Sequence, residues 1–150
     1  MMHDLRKLVG SAISALLRED GGLLRNNVGE QAITHRLAVH LSLALPDWHV
    51  DCEYNRDMET VKRLKFALSD DGDVSERAVV PDIIVHHRET TDNLLVIEVK
   101  KSTNPEPDEV DLQKLKAFRE QLGYEHAVFF RFAAGDQDPR VVMEKWVNDA

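Results

Sequence analysis

One cysteine, Cys52, in 150 residues leaves no partner for an internal disulfide and excludes zinc sites built from several thiolates. Long apolar runs are missing too. None approaches the ~20 residues that span a bilayer, and the opening MMHDLRKLVG lacks the apolar core and small-residue cleavage site of a secretory signal. Positive charge is scarce, with 19 Lys and Arg against 27 Asp and Glu and a net charge of −8. That balance disfavours nucleic-acid binding by bulk electrostatics, which relies on Lys and Arg neutralising phosphate. A divalent cation can offset local carboxylates where a site is built to hold one. The chain is therefore expected to be soluble and cytoplasmic, with no membrane partner. A 43% hydrophobic content suits one domain, residues 1 to 150, around a single core.

Several chemistries lack their residues. Gly21-Gly22 is not a phosphate-binding glycine loop, no serine sits in a G-x-S-x-G setting, and His35 and His40 are five apart, unlike the pair on a zinc-binding helix.

What is present alternates between helical and extended patterns. Leu5, Leu8, Val9, Ala12 and Leu16 predict a first helix ended by Gly21-Gly22. A second is predicted from Asn27, with Glu30 completing a capping box, Ile33, Leu37, Leu41 and Ala44 on one face, and Pro46 closing it. WHVDCEYN, residues 48 to 55, reads as a strand. TVKRLKFAL fits either an alternating strand or a helix, and SDDGD after it reads as a loop. Strands at about 79 to 87 and 93 to 101 flank the polar tip RETTDN as a hairpin. Val110, Leu115, Phe118 and Leu122 predict a helix stopped by Gly123, HAVFFRF a strand, and Asp138-Pro139 the start of a last helix through Val142 and Trp146. The fold class expected is mixed αβ, a small central sheet flanked by helices.

The hairpin PDIIVHHRETTDNLLVIEVKKS carries charges where a central sheet wants apolar residues. Leu95, Ile97 and Val99 face one side, while Leu94, Val96, Glu98 and Lys100 face the other. A tip centred near residue 90 sets Asp82 opposite Glu98. Carboxylates so placed have Cβ atoms ~4.5 to 5.5 Å apart and repel unless a positive group joins them. Lys100 and a divalent cation are the two candidates, since Mg²⁺ accepts one or two carboxylates plus waters. An ordinary ion pair between Glu98 and Lys100 is the alternative, but the run LLVI before Glu98 argues against an exposed strand.

Pro81-Asp82, followed by Glu98-Val99-Lys100 at the end of an apolar strand, resembles the signature of the PD-(D/E)xK nuclease superfamily. The order of predicted elements over roughly residues 27 to 133 resembles that family's restriction-endonuclease-like αβββαβ core. The resemblance implies phosphodiester hydrolysis dependent on Mg²⁺ or Mn²⁺, with DNA favoured over RNA as substrate. Asp82 and Glu98 would be metal ligands, and Lys100 would position or activate the attacking water. It also implies a further carboxylate from Glu30 on the N-terminal helix, a role for Lys114 near the scissile phosphate, and a possible homodimer addressing two strands.

Other polar residues carry two readings each. His86 and Arg88 are candidates for phosphate contact at the far end of the hairpin, or a polar pair beside a loop; at strand rise His86 lies ~13 Å from Asp82. Lys62, Arg63 and Lys65, with Arg56 nearby, form the densest basic cluster and suit either backbone phosphate contact or a charged edge strand. Asp51 and Glu53 share a face and read best as a solvated edge. Two rivals to a nuclease stay open: a non-catalytic interaction or regulatory module on the same fold, favoured by the acidic net charge, and an enzyme acting on a small phosphate or nucleotide.

Overall fold

The computed structural model describes residues 2–52, 63–67, 74–78 and 80–147. Helix α1 spans Met2–Arg25 and α2 spans Glu30–Ala44. The strands are β1 His49–Cys52, β2 Arg63–Ala67, β3 Val74–Ala78, β4 Ile83–His86, β5 Asn93–Lys101, β6 His126–Phe132 and β7 Val141–Trp146, with α3 Asp108–Leu122 between β5 and β6. The fold is mixed α/β.

Five strands form one sheet in the order β1-β4-β5-β6-β7, and β2 and β3 pair separately. All neighbours in the larger sheet are antiparallel except β5 and β6. A parallel pair needs a crossover, and α3 supplies it. β5 is central, and alternation along it sorts the core into two layers. Leu95, Ile97 and Val99 join Ile83, Val85, Val128 and Phe130 against Val9, Leu16, Ile33, Leu37 and Leu41 of the first two helices. Val96 joins Ile84 and Phe129 against Leu115 and Phe118 of α3. Helices therefore cover both faces, which is why β4 and β5 read as nearly continuous apolar runs.

Three sequence expectations change. First, the C-terminal helix is a strand: β7 pairs with β6 from Phe132↔Val141 to Val128↔Trp146. Val141, Val142 and Trp146 favour extended backbone, and the Asp138-Pro139 signal is spent in a bend where the Asp138 N–H donates to Asp136 Oδ1. Second, Gly21-Gly22 does not end α1. The break falls at Asp20 (φ −119°, ψ 16°), whose carboxylate accepts from Arg36 Nε at 3.1 Å and lies 2.6 Å from His40 Nε2, both on α2, and helical backbone resumes to Arg25. Third, no capping box forms. Gly29 is the N-cap without a side-chain bond, and Asn27 takes left-handed backbone with φ 52°.

β2 settles TVKRLKFAL toward a strand over residues 63 to 67, while β3 forms where no strand was expected. The left-handed Gly123 (φ 72°) ends α3 as predicted. Among the described residues, no helix is long and apolar enough to cross a membrane.

Candidate functional site

The β4–β5 register pairs Ile83 with Ile97, Ile84 with Val96 and Val85 with Leu95. One step beyond the end of β4, the same register sets Asp82 beside Glu98. The Asp82 N–H donates to Glu98 Oε2 at 2.9 Å, and the Val99 N–H donates to Asp82 Oδ2 at 2.8 Å. Two carboxylates are thus locked side by side at the end of the central strands.

Glu98 is 1% exposed on the face covered by α3, and that helix meets it with Lys114, whose Nζ donates to Glu98 Oε1 at 2.6 Å. Lys100, two residues along β5 on the same face, turns elsewhere: its Nζ lies 2.7 Å from Glu106 Oε1 and 3.0 Å from Asp111 Oδ2. Asp111 is buried in the first turn of α3, and its Oδ1 lies 4.0 Å from Lys114 Nζ. Its Oδ2 receives no well-directed hydrogen bond among the described residues.

The electrostatics follow from burial. Glu98 is pushed up to about 8, first by loss of solvent and then by the Asp82 charge, against the pull of Lys114 and the Asp82 N–H. Burial likewise lifts Asp82 to about 6, with Asp111 adding and the Val99 N–H, Lys114 and Lys100 opposing. Burial would lower both lysines, but carboxylate contacts outweigh it: Glu106 and Asp111 raise Lys100, and Glu98 and Asp111 raise Lys114. Four carboxylates, Asp82, Glu98, Glu106 and Asp111, thus share two ammonium groups, and the raised Glu98 carboxyl keeps its proton until the pH nears 8.

Asp82 also lines a cleft of 670 Å³ with Glu30, Gln31, Thr34 and His35 of α2, Cys52 at the end of β1, and Val99. Glu30 points to the sheet, as its place on the Ile33-Leu37-Leu41 face requires. Its Oε2 accepts from the Lys101 N–H and from Asn104 Nδ2, both at 2.8 Å, and so ties α2 to the end of β5.

The remaining sequence candidates lie apart. His86 is 2% exposed with Nε2 2.7 Å from Asp51 Oδ2, and Arg88 donates to both Asp51 oxygens at 2.9 and 2.6 Å. Asp51 therefore joins His86 and Arg88 at the hairpin's far end, on the edge strand β1. Arg56, Lys62 and Glu53 lie outside the described residues, as do the side chains of Arg63 and Lys65. Sequence reasoning overlooked Asp111 and Glu106. The signal for Asp111 was its place four and seven residues before Leu115 and Phe118, on the buried stripe of α3.

A divalent cation fits this chemistry in kind: hard carboxylate oxygens on Asp82 and Glu98, which a cation would hold in the ionised form that burial disfavours. Among the described residues, no three His, Cys, Asp or Glu side chains converge as a ligand group, so water would complete the shell. No family model and no curated protein matches the chain. Among solved structures, a crystal structure of SSO0001 is similar at 16% identity with a TM-score of 0.39, covering 95% of this chain. The chain spans 64% of the length of that protein.

Proposed function

We propose that the chain is a divalent-metal-dependent nuclease of the PD-(D/E)xK, restriction-endonuclease-like kind, hydrolysing phosphodiester bonds in DNA. The observation that supports this reading most is the Asp82–Glu98 pair, fixed by two backbone hydrogen bonds and raised in pKa chiefly by burial, with the Asp82 charge adding at Glu98 and Asp111 adding at Asp82. Such a pair stores a demand for positive charge that Mg²⁺ or Mn²⁺ meets.

Asp82 and Glu98 would hold the cation with water completing its shell, while Glu30 stays engaged with the Lys101 N–H and Asn104. A bound Mg²⁺ or Mn²⁺ supplies Lewis acidity, polarising a phosphate oxygen and making water acidic enough to attack near neutral pH. A lysine ammonium beside the pair balances the charge that builds on the phosphate. Water oxygen bonds to phosphorus, the ester P–O bond breaks, and the leaving oxygen takes up a proton. Excluding bulk water from Glu98 strengthens each of these interactions.

A second reading has its own support. Glu98, Lys100 and Lys114 already possess internal ion partners, which suits a regulatory module that keeps the fold without catalysis. Thermal melting in EDTA and in millimolar Mn²⁺ separates the two, because a ligand that binds only the folded state raises the melting temperature. A nuclease shows a Mn²⁺-dependent rise that disappears in Asp82→Ala. An absent rise, or an equal one in the variant, favours the module.

A further inference from the structure

We propose that Lys114, rather than Lys100, is the positioning ammonium of this site: it holds Glu98 by an ion pair and trades that carboxylate for a substrate phosphate once Glu98 turns to a divalent cation. The inference rests on the metal reading above and adds which lysine serves it.

Three observations lead there. Lys114 Nζ is 2.6 Å from Glu98 Oε1, whereas the ion contacts of Lys100 are with Glu106 and Asp111. The Lys114 side chain is 19% exposed against 1% for Glu98, so of the two partners it is the one solvent reaches. Asp111 Oδ1, 4.0 Å away on the same helix, offers Lys114 a second anchor when Glu98 is otherwise engaged. A lysine stem of four carbons permits that exchange without moving the backbone. Lys100 instead clamps the first turn of α3 and the loop before it onto β5, through Asp111 and Glu106.

An ammonium and a cation on the same carboxylate compete. Removing the ammonium therefore strengthens cation binding while removing the group that meets the phosphate. A residue of merely structural importance would weaken both.

The test is titration calorimetry with Mn²⁺ at pH 8.5 and, in parallel, Mn²⁺-dependent cleavage of single- and double-stranded DNA. The proteins are the full chain and its Asp82→Ala, Lys114→Met, Lys114→Gln, Lys100→Met and Lys116→Met variants. Lys116 is exposed on the same helix and controls for net charge. Both Lys114 variants are expected to bind Mn²⁺ about tenfold more tightly than wild type and to cleave about 100-fold more slowly. Lys100→Met should melt at a lower temperature in EDTA without tighter Mn²⁺ binding, and Lys116→Met should match wild type throughout. Wild-type Mn²⁺ binding that vanishes in Asp82→Ala, with unchanged or weaker binding in both Lys114 variants, overturns the lysine assignment alone. Tighter binding in Lys100→Met instead of the Lys114 variants does the same. A wild-type chain that binds no Mn²⁺ overturns the metal reading and the assignment together.

Discussion

Replacing Glu98 by Gln removes the most perturbed carboxylate of the site without changing its shape, and the effect on stability has a definite sign. Burial raises the Glu98 pKa from the ordinary 4.5 to about 8 in the folded chain. The folded state then holds a proton that the unfolded state has released, so stability falls as pH rises between those values. The contribution is fully present below about pH 4.5 and is lost as pH passes about 8. At about 1.4 kcal/mol per pKa unit, Glu98 alone sets an upper bound of about 5 kcal/mol. Asp82 and Glu98 titrate as a pair, and about 2–4 kcal/mol is the expected loss for wild type relative to Glu98→Gln. For a chain of this size that is about 5 to 15 °C in melting temperature. The assay is thermal and urea unfolding of both proteins in EDTA from pH 5 to 8.5. Near pH 5, where Glu98 is protonated, the two should be close; by pH 8.5 the variant should be the more stable. Mg²⁺ should restore wild-type stability more at pH 8.5 than at pH 5.5, because protons compete for the same oxygens. Parallel stability curves for the two proteins across this range would refute the reasoning.

Further expectations concern the elements around the site. Asp111→Ala leaves Lys100, among the described residues, with the half-exposed Glu106 and should cost about 3 kcal/mol in urea unfolding. Phe118→Ala, at the centre of the α3 face, should cost about 3–5 kcal/mol by the same measurement, with Mn²⁺ binding retained in the folded fraction. Gly123→Ala places a side chain at φ 72° with open space around its Cβ, so only backbone strain opposes it, and about 1 kcal/mol is expected.

The part of the site legible in sequence was the part set by alternation. Once β4 and β5 are taken as a hairpin, a period of two places Glu98 and Lys100 on one face, and the tip length places Asp82 beside Glu98. Side-chain reach is not periodic, and there the reading failed. Lys100 projects to the expected face, yet its long stem delivers the ammonium to Asp111 and Glu106, while Lys114 comes from across the layer to Glu98. Asp111 was masked by its position in the first turn of α3, where an acidic residue reads as a partner of the helix dipole. The Asn27–Glu30 spacing imitated a capping box, but the Lys101 N–H at the end of β5 captured the glutamate. At the C-terminus a good helix start, Asp138-Pro139, met the open edge of β6, and pairing with that edge overrode the local signal.

The most direct measurement is Mn²⁺-dependent cleavage of a panel of single- and double-stranded DNA by wild type, Asp82→Asn and Glu98→Gln at equal folded concentration. The expected result is cleavage by wild type that EDTA abolishes, with each variant slower by about 100-fold or more. Cleavage that survives both substitutions, or a wild-type chain that binds Mn²⁺ at Asp82 yet cuts none of the panel, would contradict it.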